Sequence, residues 1–194
     1  MPDVTPQPRA LKRIGHKGAD LIAPGNTLES FDAALAAGVE IDVDMKLGGY
    51  ERRVVAALRE HGLADRALIS TMEEDSLGVV RLAGPEIRLG WSVPKIRRNP
   101  LSSRWTRIPA MMLAQYARRI LPGRAAGAIR DGRIDALMCH WALVSGRLVS
   151  AIEEAGGELY VWTVDDAERI AKLERLGVTG IITNDPRLFG TAPA

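Results

Sequence analysis

The sequence predicts an α/β chain built as an incomplete, or rearranged, TIM-type (β/α) barrel, and three observations lead there. Short apolar runs alternate with helix-spaced segments, the rhythm of βα units that lay down a parallel sheet with crossover helices. Seven such runs stand out, at 11–15, 39–46, 67–71, 87–93, 136–141, 158–163 and 180–183. Polar or aromatic residues gather where the runs end: His16, Asp42 to Lys46, Ser70-Thr71, Trp91-Ser92, His140-Trp141, Trp162-Thr163 and Asn184-Asp185. Barrels carry their functional side chains at those strand ends, and a closed eight-stranded barrel takes about 250 residues. With 194 residues, this chain is about one βα unit short.

The elements follow in order. Residues 1–10 hold three prolines and read as an N-terminal lead-in, with the barrel domain at 11–190. Ala23 to Thr27 forms a turn in which Asn26 or Thr27 can cap the next helix. There Leu28, Phe31, Ala34 and Leu35 recur at helical spacing, and Gly38 ends the run. Gly48-Gly49 turns the chain into a helix over about 50–60, with Val54, Val55 and Leu58 inward. Another spans about 73–83, with Leu77 and Val80 inward. Residues 94–134 break the rhythm: Pro94, Pro100, Pro109 and Pro122 punctuate a basic stretch whose helix is expected at 110–121. Regular alternation then resumes, with helices at 144–155 and 165–176.

Composition narrows the function classes. Hydrophobic residues make up 46% and charged residues 26%, which suits one globular domain with a sizeable core. The single cysteine, Cys139, excludes an internal disulfide and is expected to be inert in its strand. The polar, proline-rich start has no apolar signal region and no run is long enough to span a bilayer, so a cytoplasmic location is expected. Charge is uneven. Of 26 bases and 24 acids, ten bases and one acid fall in 95–133, leaving 16 bases against 23 acids elsewhere. That basic insertion also carries Trp105, Met111, Met112, Leu113 and Tyr116, a mixture suited to an anionic membrane surface or, equally, to a solvated excursion on the barrel's side. No recognition motif accompanies the charge, so nucleic acid is not expected as a partner. An open barrel leaves sheet edges that another subunit can cover, which admits a homo-oligomer.

The chemistry concentrates in two stretches, Arg13-Ile14-Gly15-His16-Lys17-Gly18 and Glu40-Ile41-Asp42-Val43-Asp44-Met45-Lys46. The first ends a strand in a histidine between glycines. In the second, side chains alternate faces, so Glu40, Asp42, Asp44 and Lys46 point the same way. Three carboxylates on one face repel each other unless a cation lies among them. A hard cation such as Mg²⁺ or Ca²⁺ suits such ligands.

These residues also carry a family resemblance. IGHKGAD with APGNTLESFDAALAAG resembles the opening motif of the glycerophosphodiester phosphodiesterase family, of the phospholipase C-like barrel superfamily. The closing ELYVWTVDDAERIAKLERLGVTGIITNDPRLF is similar to that family's ending, and segments between them resemble its middle units. The resemblance implies a metal-dependent phosphoric diester hydrolase of lipid metabolism that releases an alcohol and glycerol 3-phosphate. It implies His16 as a catalytic acid–base, Lys17 where an arginine usually holds phosphate, and Trp162 as a pocket wall. Glu40-x-Asp42 resembles the family's metal pair, and Asp44-x-Lys46 its later carboxylate and lysine. Two motifs thus share one strand, with Glu40, Asp42 and Asp44 as metal ligands and Lys46 on substrate. The family's second histidine has no counterpart, since only His61 at a helix end and His140 before Trp141 remain. Proton-transfer help is worth about 10² to 10⁴-fold in rate. The rival expectation is therefore a catalytically impaired relative that binds phosphate or lipid headgroups.

Overall fold

Seven parallel strands hydrogen-bond in the order β1-β7-β6-β5-β4-β3-β2 in a computed structural model of the chain. Residues 11–17, 20–24, 27–36, 41–65, 67–95 and 104–189 are described. The strands are β1 (Lys12–Gly15), β2 (Ile41–Met45), β3 (Ala67–Thr71), β4 (Arg88–Val93), β5 (Ala136–His140), β6 (Glu158–Trp162) and β7 (Gly180–Thr183). Helices α1 (Leu28–Ala36), α2 (Glu51–Glu60), α3 (Glu74–Ala83), α4 (Arg104–Arg130), α5 (Gly146–Glu154) and α6 (Ala167–Leu176) connect them. The sheet curls into a half-barrel. Its edge strands β1 and β2 approach each other, with Cα atoms within 8 Å, yet share no hydrogen-bonded ladder.

Alternation along the strands sorts side chains between two cores. Ile14, Leu68, Ala136, Met138, Tyr160 and Ile182 fill the concave interior. Leu137, Cys139, Leu159, Val161 and Ile181 point outward under α4, α5 and α6. Ile69, Leu89 and Met45 do the same under α2 and α3, where Val55, Leu58 and Val80 meet them. The interior leaves no slack: a Cβ on Gly180 would lie 2.6 Å from the Tyr160 ring. Below, Glu158 accepts from Lys12 Nζ at 2.7 Å, from Arg88 at 3.1 Å and from the Tyr160 hydroxyl at 3.0 Å. This network ties together the amino-terminal ends of β1, β4 and β6.

Helix α4 departs from expectation. It runs through both Pro109 and Pro122 and covers 27 residues instead of 110–121. Each proline removes one intrahelical donor. Beyond Pro122, however, Ala125, Ala126, Ala128 and Ile129 are buried, and that packing holds the turn sequence in helix. At 1.5 Å per residue α4 is about 40 Å long, nearly three times its neighbours α3 and α5. The Arg118 guanidinium donates to Val144 O just before α5, at 3.0 Å, and Ala114 and Ala117 pack against the outer core, while the other face of this part of α4 is bare. Met112, Leu113 and Tyr116 are 70%, 67% and 60% exposed there. No helix among the described residues is long and apolar enough to cross a membrane.

Candidate active site

The strand ends enclose a cavity of about 280 Å³ inside the curl. Its lining combines His16 and Lys17 after β1, Asp42 and Asp44 from β2 with Lys46 just beyond it, Ser70, Ser92, and Trp162 at the end of β6 with Thr163 after it. Residues from opposite edges of the sheet therefore face one space. A larger groove of about 590 Å³ lies outside the sheet between α3 and α4, where Arg124 and Glu74 pair at 3.3 Å. Trp91 faces that groove, with the Arg124 guanidinium 5.0 Å from its ring centroid, so it does not belong to the mouth as its strand-end position suggests.

Helix α1 sets the turn that carries His16. Thr27 caps that helix, accepting from Ser30 N at 3.2 Å and donating to Pro24 O at 2.7 Å. The buried Ser30 hydroxyl donates to Lys17 O at 2.9 Å. This bond secures Lys17 at φ +53°, a left-handed conformation that costs a non-glycine residue about 1–2 kcal/mol. The turn aims His16 inward while the Lys17 side chain stays on the rim, 3.5 Å from Asp20. His16 N donates to Thr183 O at 2.6 Å, continuing the β1–β7 ladder.

The His16 ring has one fixed neighbour. Its Nδ1 lies 2.6 Å from Asn184 Oδ1. The other end of that amide, Nδ2, donates to Asp165 Oδ2 at 2.6 Å. Asp165 Oδ1 accepts from Asn184 N at 2.8 Å and from the Thr183 hydroxyl at 2.9 Å. Asn184 is among the polar strand-end residues read from the sequence, without an assigned role, whereas Asp165 is not; its signal is the polar run Thr163-Val164-Asp165 after β6.

Across the cavity, Asp42 and Asp44 project from one face of β2. Asp42 Oδ2 accepts from the Ser70 hydroxyl at 3.1 Å, while Oδ1 is buried without a hydrogen-bond partner. Burial, and next the neighbouring Asp44, raise the Asp42 carboxyl from its ordinary 3.8 to about 7. Asp44 pairs with Lys46. The Trp162 Nε1 is likewise buried and unpartnered beside the cavity, so this wall offers a donor as well as an apolar surface. Among the described residues no three His, Cys, Asp or Glu side chains cluster as a ligand set. Glu40, the third expected ligand, lies outside the described residues.

Neither other histidine reaches the cavity lining. His140 packs edge-on against Trp162, ring centroids 5.4 Å apart, and its Nδ1 accepts from Ala142 N at 3.2 Å. Burial, followed by the nearby Arg169 charge, lowers its pKa. His61 closes the C-terminal end of α2, the end that leads back to the start of β3. Cys139 is buried, and that burial pushes its thiol up to about 12, so it is held as an inert thiol.

The family model for the glycerophosphoryl diester phosphodiesterase family matches residues 44–188. A glycerophosphodiester phosphodiesterase of Caldanaerobacter subterraneus is 25% identical over 154 residues, 75% of this chain and 52% of that protein. The chain thus spans about half the length of that relative. Among solved structures, a glycerophosphodiester phosphodiesterase from Agrobacterium tumefaciens superposes with a TM-score of 0.66 at 16% identity, covering 94% of this chain and all of that one. A phosphodiesterase from Oleispira antarctica, in complex with the product sn-glycerol-3-phosphate, gives 0.64 at 17%, covering 91% and 94%. At these identities the likeness is one of fold.

Proposed function

The chain belongs to the glycerophosphoryl diester phosphodiesterase family, and from that premise we propose that it hydrolyses a glycerophosphodiester to an alcohol and glycerol 3-phosphate, in lipid metabolism. The observation that carries the reading is the cavity itself: one oriented histidine faces carboxylates, a lysine and an indole donor. His16 would take a proton from the water that attacks phosphorus and return it to the alcohol oxygen that leaves. Lys46, with Lys17 at the rim, would offset the phosphate's charge, and the Trp162 N–H would bind one of its oxygens. A divalent cation, when bound, supplies further charge neutralisation at phosphate. Asp42 and Asp44 would hold it, and the unpartnered Asp42 Oδ1 supports that fit. Glu40, outside the described residues, is the third proposed ligand, and an all-oxygen set of this kind suits Mg²⁺ or Ca²⁺.

Hydrolysis of glycerophosphocholine and glycerophosphoglycerol with added Mg²⁺ or Ca²⁺ tests this reading. His16→Ala is expected to lose about 10² to 10⁴-fold. Turnover by the wild type no faster than by that variant refutes the reading. A second reading has its own support, because His16 is the one histidine lining the cavity among the described residues. It makes the protein an impaired relative that binds phosphate or headgroups, and calorimetric binding of glycerol 3-phosphate without turnover would identify it. For either role, the exposed Met112, Leu113 and Tyr116 on the basic helix α4 support contact with an anionic membrane.

A further inference from the structure

We infer that Asn184 and Asp165 are positioning residues that lock His16 in the Nδ1–H tautomer, leaving Nε2 as its proton-accepting atom. The inference rests on the proposed acid–base role of His16, but its geometry is independent of any substrate. A carboxylate accepts hydrogen bonds and an amide nitrogen donates them. Because Asp165 Oδ2 lies 2.6 Å from one end of the Asn184 amide, that end is the NH₂ group. The end facing His16 is then the carbonyl oxygen, 2.6 Å from Nδ1. A carbonyl only accepts, so Nδ1 must carry the proton. Turning the amide over would set its oxygen against the Asp165 carboxylate, two acceptors with no hydrogen between them.

The relay is anchored along its whole length. Asn184 N donates to Asp165 Oδ1 at 2.8 Å, and Asn184 O accepts from Leu21 N at 3.0 Å. Thr183, fully buried, donates to the same Asp165 oxygen at 2.9 Å and accepts from Asp185 N at 3.1 Å. The β1–β7 ladder fixes the His16 backbone against Thr183. Both the amide and the ring therefore have one arrangement. The neutral amide transmits orientation from the Asp165 carboxylate without placing a full charge against the imidazole.

Nitrogen-15 NMR of the His16 ring in the whole protein reads the tautomer directly. The wild type is expected to show a protonated Nδ1 and a bare Nε2 in the neutral ring. Asn184→Ala is expected to show a mixture of tautomers and to lose about 10 to 100-fold in kcat at unchanged KM, the usual scale for removing an orienting partner. Asp165→Asn keeps an acceptor oxygen and the shape of the clamp, so it serves if Asn184→Ala does not fold; it too is expected to mix the tautomers, because its amide can turn. A wild-type ring protonated on Nε2, or an unchanged ring in both variants, overturns the inference. If the NMR result follows expectation while the wild type shows no turnover, the positioning holds and the hydrolytic reading falls.

Discussion

Replacing Asp42 by asparagine should stabilise the fold at alkaline pH. Burial first, and the Asp44 charge second, raise this carboxyl from 3.8 to about 7. The folded chain then holds the Asp42 proton more tightly than the unfolded chain does, so ionisation opposes folding. For this group stability is complete below about pH 4, declines as pH rises towards 7, and stays low above it. Three units at about 1.4 kcal/mol each amount to about 4 kcal/mol. This is a ceiling, because Asp42 as a residue retains some exposure even though its Oδ1 is buried. Asparagine keeps the volume, can still accept from the Ser70 hydroxyl, and never ionises. Urea unfolding of both proteins at about pH 4, 6 and 8 measures the effect. The wild type should weaken relative to the variant by up to that amount across the window, with matching slopes. Millimolar Mg²⁺ should recover part of the loss at pH 8 in the wild type alone, since a cation that binds only the folded state stabilises it. A constant gap between the two proteins from pH 4 to pH 8 would refute the reasoning.

Gly180→Ala puts a Cβ 2.6 Å from the Tyr160 ring and 2.9 Å from Lys12 O, and should cost about 1–3 kcal/mol, read as a lower urea midpoint. Cys139, buried and pushed up to about 12, should resist iodoacetamide at pH 8 until urea unfolds the chain; rapid labelling of the native protein would contradict its burial. The whole protein should sediment with vesicles containing phosphatidylglycerol but not with pure phosphatidylcholine, and Met112→Glu with Leu113→Glu should abolish this. Equal sedimentation with both vesicles, or none, would reject the exposed face of α4 as an anionic-membrane contact.

Strand–helix alternation was legible because each unit buries one face of its helix, which imposes helical spacing on residues such as Val55 and Leu58. The two chemical strands were legible for a different reason. Alternation alone puts Asp42, Asp44 and Lys46 on one face, and all three line the cavity. Helix α4 was misread because prolines are local signals, whereas the burial of Ala125 and Ile129 depends on the assembled sheet. The Asn184–Asp165 clamp escaped notice because its partners lie 19 residues apart, joined only when β6 and β7 align.

The distance across the cavity is the deepest of these non-local properties. His16 follows β1 and the carboxylates sit on β2, the two free edges of the sheet, with five strands between them. No ladder ties one edge to the other, so the gap between histidine and carboxylates is the accumulated curl of six strand pairings. Small repacking anywhere along that arc moves the site's two halves relative to each other. The interior contacts of Tyr160 and Leu68 therefore set the width of the cavity without lining it.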